Sequence, residues 1–287
     1  MRFHSILRQS PSVTFREAVF SGLAPDGSLY IPEYIPVFPK KIIDNLQQYS
    51  LREIGIEVAK LFIDDIPLNV IETIFHRAFS FPIPLRQVDE NIFLLELFHG
   101  PTLAFKDVGA RFLAETLSFF LQQEQKSLSI IVATSGDTGS AVAHGFFKVP
   151  NINVFILYPS KKISALQEQQ MTTLGNNIYA IEVQGTFDDC QRIVKQTLND
   201  KQILQKKNIT TANSINIGRL IPQIVYYIWG IAQLRNNFSR TEPVYVVPSG
   251  NFGNITAGVY ANKMGAPVHH FVAATNVNDV VRQYFSS

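Results

Sequence analysis

"IIVATSGDTGSAVAHGF", residues 130–146, is the stretch on which the reading of the fold turns. An apolar, β-branched run ends at Ala133, a Thr-Ser-Gly-Asp-Thr-Gly turn follows, and small and apolar residues then recur at helical spacing. This predicts strand, glycine turn and helix in direct succession. The glycines let backbone approach a ligand closely. Ser135 and Thr138, with the free N–H groups of the helix start, make a nest for an anion such as a carboxylate. The turn lacks both the GK[ST] of a Walker A loop and the GxGxxG of a dinucleotide site. Taken alone it is weak evidence, since many α/β proteins use such turns only for packing.

The same construction returns in "VYVVPSGNFGNITAGVYANK", residues 244–263. Here the loop Ser249, Gly250, Asn251, Phe252, Gly253 and Asn254 leads from strand to helix. Its N–H groups can hold a dianionic phosphate without any lysine, or its glycines can simply close a tight turn.

Further strands are expected from Leu128, Asn153, Asn177 and His269, with helical patterns over 140–148, 165–174, 188–198 and 217–234 between them. The βαβα order implies an α/β fold, a parallel, doubly wound sheet with helices on both faces.

Residues 1–90 read differently. "PDGSLYIPEYIPVFP" packs turn formers closely, and "SLREIGIEVAKLFI" from Ser50 is a capped amphipathic helix, so a smaller N-terminal helical domain is expected ahead of an α/β region over 91–287. "SFPIPLRQVDENIFLLELF" suggests a strand pair turning at residues 89–91.

One lysine stands out. In "FHGPTLAFKDVGARFLAE", residues 98–115, Lys106 follows a Gly-Pro-Thr turn at the start of a helical pattern. The positive end of the helix dipole and partial desolvation beside Phe105 both disfavour the ammonium form. A lysine so placed can be neutral often enough to attack a carbonyl and form a Schiff base, the usual link to pyridoxal phosphate. The alternative is a lysine that snorkels to solvent or pairs with Asp107.

Two polar clusters lie at other predicted strand ends, where parallel sheets bind ligands. One holds Lys161, Lys162 and Ser164; the other holds Asn213, Ser214, Asn216 and Arg219, whose guanidinium can grip a phosphate with two parallel bonds. The histidines form no site: His269 and His270 are neighbours on a predicted strand, expected on opposite faces, and His99 has no assigned role.

Composition narrows the function classes. Hydrophobic residues make up 46% and charged residues 17%, which excludes a disordered chain or a charged coiled coil. With 25 Lys and Arg against 23 Asp and Glu and no long basic run, a nucleic-acid partner is not expected. The single Cys190 and the absence of CxxC or HExxH spacing point to a reducing compartment and no metal. The apolar run "LIPQIVYYIWGIAQL" is too short to span a bilayer, so no membrane partner is expected and the cytoplasm is the default location.

Together "FHGPTLAFKD", "TSGDTGSA", "SKKIS..Q", "NSINIGR" and "PSGNFGN" resemble, in order and spacing, the threonine synthase family of fold type II pyridoxal-phosphate enzymes. "PDGSLYIP" is similar to that family's N-terminal region. The resemblance implies a γ-elimination and β-replacement that turns O-phospho-L-homoserine and water into L-threonine and phosphate, in a monomer or homodimer. It implies that Lys106 is the Schiff-base lysine and that the Ser249–Asn254 loop holds the cofactor phosphate. Ser135, Gly136, Asp137 and Thr138 would hold the substrate carboxylate, with Lys161, Lys162 and Arg219 as candidates for the substrate phosphate.

Related dehydratases and cysteine synthases usually carry Asn where this chain has Asp137, which argues against that alternative. Members of the family continue well beyond the counterpart of Ser287. The chain is therefore expected to be incomplete at its C-terminus, and an inactive remnant that keeps the fold is the other alternative.

Overall fold

The computed structural model describes residues 1–238, 242–277 and 280–286. Its N-terminal part holds the short antiparallel pair β1 (Phe3–Ser5) and β2 (Tyr30–Pro32), with α1 (Phe15–Ser21) between them. The helices α2 (Lys40–Asp44), α3 (Leu51–Phe62) and α4 (Leu68–Ala78) follow. Ser50 caps α3 as its sequence predicts: its side chain accepts from Glu53 N while the Glu53 carboxylate accepts from Ser50 N. The expected hairpin is also present, as β3 (Leu85–Asp89) and β4 (Ile92–Leu95).

Strands and helices then alternate: α5 (Lys106–Glu124), β5 (Leu128–Ala133), α6 (Asp137–Phe146), β6 (Ile152–Pro159), α7 (Ala165–Thr172), β7 (Ile178–Val183), α8 (Phe187–Asn199) and α9 (Lys201–Lys206). After the two-residue β8 (Ile209–Thr210) come α10 (Ile217–Phe238), β9 (Val244–Pro248), α11 (Gly253–Lys263), β10 (His270–Ala274) and α12 (Val280–Ser286).

All the strands expected in the α/β region are present, and they divide between two sheets. One is a parallel four-stranded sheet of order β7-β6-β5-β8, with Leu128 opposite Ile152 and Val154 opposite Ile178. The other is the parallel pair β9 and β10, with Val244 opposite His270. The strand β8 was not expected, because two paired residues leave no alternation to read.

The histidine expectation needs correction. Since β10 begins at His270, strand alternation does not govern His269, and the two rings lie 4.8 Å apart rather than on opposite faces.

The main apolar core joins the N-terminal segment to the rest. Phe75 of α4 meets Phe112 of α5 edge-on at 5.2 Å and stacks on Phe79 at 5.6 Å, and Phe79 in turn meets Tyr226 of α10. Polar ties run the same way: Trp229 Nε1 donates to Ile83 O at 2.7 Å, and Asn216 Nδ2 donates to Val19 O at 3.1 Å. The helix α10 is buried along almost its whole length. It packs against α3, α5 and α11, and none of the described helices is long and apolar enough to cross a membrane.

Candidate active site

Lys106 is the first residue of α5. The turn before it is tied down from two sides. Asp107 is buried and accepts from Thr102 N at 3.0 Å and from Thr102 Oγ1 at 2.5 Å. The carbonyl of Phe105 accepts from the buried Tyr226 hydroxyl at 2.6 Å. The reading in which Lys106 pairs with Asp107 is therefore not the one observed.

The Lys106 ammonium instead lies 3.3 Å from Asp137 Oδ2 and 4.5 Å from the centre of the Phe105 ring, with 17% of its side chain exposed. Desolvation is the largest influence on this amine and lowers its pKa below the ordinary lysine value of 10.5. Asp137 pulls it back up, and Arg219 pushes it down again.

The 134–137 turn is shaped from within. Thr134 Oγ1 accepts from Gly136 N at 3.0 Å and from Gly139 N at 2.8 Å. Gly136 has φ 142°, a conformation that L side chains rarely adopt, and a Cβ there would stand 2.5 Å from the Gln167 amide nitrogen. Gln167 uses that space to donate to Asp137 Oδ1 at 2.6 Å.

The second glycine turn is built on α11. Phe252 adopts a left-handed backbone at φ 57°, and Asn254 Nδ2 donates to Pro248 O at 2.7 Å across the loop. The Tyr227 hydroxyl donates to Asn254 O at 2.8 Å, fixing the loop to α10. A methyl group added at Gly250 would meet no protein atom within 4 Å, so the space before this loop is open.

Both turns follow the carboxyl ends of parallel strands, β5 and β9. Two cavities flank Lys106. One, of about 610 Å³, is lined by Ser135, Thr138, Gln167 and Asn213, and the other, of about 780 Å³, by the whole 249–254 loop with Arg219 and Gln223. Lys106, Asp137, Ser214 and Asn251 line both and form the ridge between them.

The candidate cations part company. Lys161 and Lys162 are exposed after β6 and line neither cavity. The left-handed residue Lys161 turns the chain back there, and Lys162 N donates to Pro159 O. Arg219 is 1% exposed, with Nη1 donating to Ala212 O at 2.9 Å. Its Nε and the Oε1 of Gln223 are both buried without a hydrogen-bond partner. Buried polar atoms left so are costly, and these two residues share the 780 Å³ cavity.

Asn216 proves structural, accepting from Gly218 N at the start of α10. His99 pairs with Glu96 at 2.7 Å.

Gln167, Gln223 and Tyr226 were given no role from the sequence. Only Gln167 left a signal there, as the fourth residue of the S-x-x-Q capping pattern that opens at Ser164.

The residues fit a bound aldehyde carrying a phosphate. They supply a partly desolvated amine, an open loop of N–H donors at a helix start, and a buried guanidinium with an unused donor.

Residues 69–286 match the family described as pyridoxal-phosphate dependent enzyme, and residues 2–79 match the threonine synthase N terminus. The chain is 46% identical to the threonine synthase of Haemophilus influenzae, over 100% of this chain and 67% of that protein. It is 44% identical to that of Escherichia coli, over 99% and 66%. The crystal structure of the E. coli threonine synthase superposes with a TM-score of 0.92 at 43% identity, covering 100% of this chain and 67% of the other. The pyridoxal-phosphate-bound threonine synthase of Brucella melitensis gives 0.92 at 38%, covering 100% and 63%. The chain thus spans about two thirds of the length of these relatives.

Proposed function

The chain belongs to the threonine synthase family of pyridoxal-phosphate-dependent enzymes, and from that premise we propose that its cleft converts O-phospho-L-homoserine and water into L-threonine and phosphate. The observation that carries the reading is Lys106. It is a partly desolvated amine at a helix start, on the ridge between an anion-ready strand-end turn and an open, glycine-rich loop.

Pyridoxal 5'-phosphate, when bound, supplies an electron sink for charge that develops at the substrate Cα. The protein's share is binding, orientation and proton delivery. Lys106 anchors the cofactor covalently and, once displaced, takes and returns protons at the α and β carbons. Asp137 keeps that amine in place.

The N–H groups of Gly250, Asn251, Phe252, Gly253 and Asn254 receive the cofactor phosphate, while Ser249, whose own N–H donates to Ala274 O at 2.8 Å, opens the loop. The turn from Ser135 to Thr138 receives the substrate carboxylate. Arg219, which lines the 780 Å³ cavity, rather than the outlying Lys161 and Lys162, is the cation assigned to the substrate phosphate. The reaction is placed in the cytoplasm, in a monomer or homodimer.

The test is a coupled assay on the purified chain with added cofactor, following inorganic phosphate and threonine together. Equimolar release of both from O-phosphohomoserine supports the reading. Conversion of serine or threonine to ammonia with no phosphate release would replace it with a dehydratase, and silence with every substrate would leave a fold without this activity.

A further inference from the structure

Asp137 presents its two oxygens to two different helices. Oδ2 faces Lys106 of α5, and Oδ1 accepts from Gln167 Nε2 of α7 at 2.6 Å. Among the described residues, these are the groups that hydrogen-bond this carboxylate.

The Gln167 amide is itself held. Its Oε1 accepts from Ser164 N at 3.3 Å and from Ser164 Oγ at 3.0 Å, and Ser164 Oγ accepts from Gln167 N. With both ends of the amide engaged, its orientation is fixed by the network.

Asp137 needs such a hold. Its side chain is 50% exposed, and an ion pair at that exposure gives up much of its attraction to solvent screening and to side-chain entropy.

We infer that Gln167 is a positioning residue: by gripping Oδ1 it aims Oδ2 at Lys106, so the first turn of α7 sets the charge partner of the reactive amine. The glycine at 136 belongs to this device, because a side chain there would occupy the space that the Gln167 amide fills.

Two charged groups from neighbouring elements act on Lys106, Asp137 from α6 and Arg219 from α10, while Asp107 of its own helix is engaged by Thr102. If Asp137 swings to water, the influence of Arg219 is left unopposed, and the amine loses its proton more readily. The relationship bears on catalysis only through the reading of Lys106 given above, but it exists in the chain before cofactor is added and can be measured there.

The experiment follows the pH dependence of Lys106 acylation in the full chain without cofactor, read peptide by peptide by mass spectrometry. Asp137→Asn and Gln167→Met should each lower the midpoint for Lys106 by about one pH unit. The double variant should fall no further than Asp137→Asn alone, because the two act through one contact. A Gln167→Met midpoint at or above the parent's would overturn the inference, as would a double variant that falls by the sum. Should Gln167→Met not fold, Gln167→Asn, which keeps an amide but falls a methylene short of Asp137, is read by the same criteria. Neither result depends on whether the cofactor binds, so a failure here is separable from a failure of the proposed reaction.

Discussion

Lys106 Nζ and Asp137 Oδ2 stand 3.3 Å apart although 31 residues separate them, because the helices that begin at these two residues bring their first turns together at one end of the four-stranded sheet. The pair opposes two tendencies: burial drives the lysine toward neutrality, and the aspartate restores part of its basicity.

The sign of that balance sets a pH dependence. The folded pKa of Lys106 lies below the ordinary 10.5, so between those values the unfolded chain binds more protons than the folded one. The residue's contribution to stability therefore rises as pH climbs through that window. The buried tyrosines, whose raised pKa values act in the opposite direction, are common to both chains, so urea melts across alkaline pH should show the parent gaining stability relative to Lys106→Met; parallel curves would place the amine in water.

Lys106→Ala should abolish turnover, by about a thousandfold or more, while leaving the fold intact. Steady-state kinetics beside circular dichroism checks this, and substantial remaining threonine formation would remove Lys106 from its role.

Gly250→Ala tests the open loop. The added methyl meets no protein atom within 4 Å, so stability should stay within about 0.5 kcal/mol of the parent. Cofactor affinity should fall about tenfold or more, because the methyl enters the space where a phosphate approaches the backbone. Unchanged affinity, measured by spectral titration, would move the phosphate elsewhere.

Tyr226→Phe removes the hydroxyl that donates to Phe105 O and leaves a carbonyl beside Lys106 without that donor. A loss of about 1–3 kcal/mol is expected, with kcat reduced more than KM is raised, since the amine is misplaced rather than removed. A change in KM alone would show that the bond serves binding.

Gly55→Ala sets two effects against each other. Helix propensity favours alanine by about 1 kcal/mol, but its Cβ would lie 2.4 Å from the Phe75 ring, and overpacking of this kind costs about 1–3 kcal/mol. Net destabilisation in a thermal melt is the expected outcome, and a rise in Tm would mean that Phe75 moves aside freely.

What could be read from the sequence follows from how local each signal is. The glycine turns, the Ser50 cap and the helix that starts at Lys106 are written in adjacent residues, and they are observed as expected. Asp107 looked like the natural partner for Lys106 because it is adjacent. In the fold that carboxylate turns inward to Thr102, and the partner comes from another helix. Lys161 and Lys162 were legible as charges at a strand end, yet the left-handed turn at Lys161 sets them away from the cavities. Arg219 carried no sign of its burial, which depends on how α10 packs among the helices α3, α5 and α11, and pairing of distant strands into separate sheets leaves no periodicity to find.

The most direct measurement is covalent. Purified protein incubated with pyridoxal phosphate is reduced with sodium borohydride, digested and mapped by mass spectrometry. The account predicts a pyridoxyl phosphate adduct on the peptide that carries Lys106 and on no other lysine. An adduct spread over surface lysines such as Lys161 and Lys162, or none at all, would contradict it.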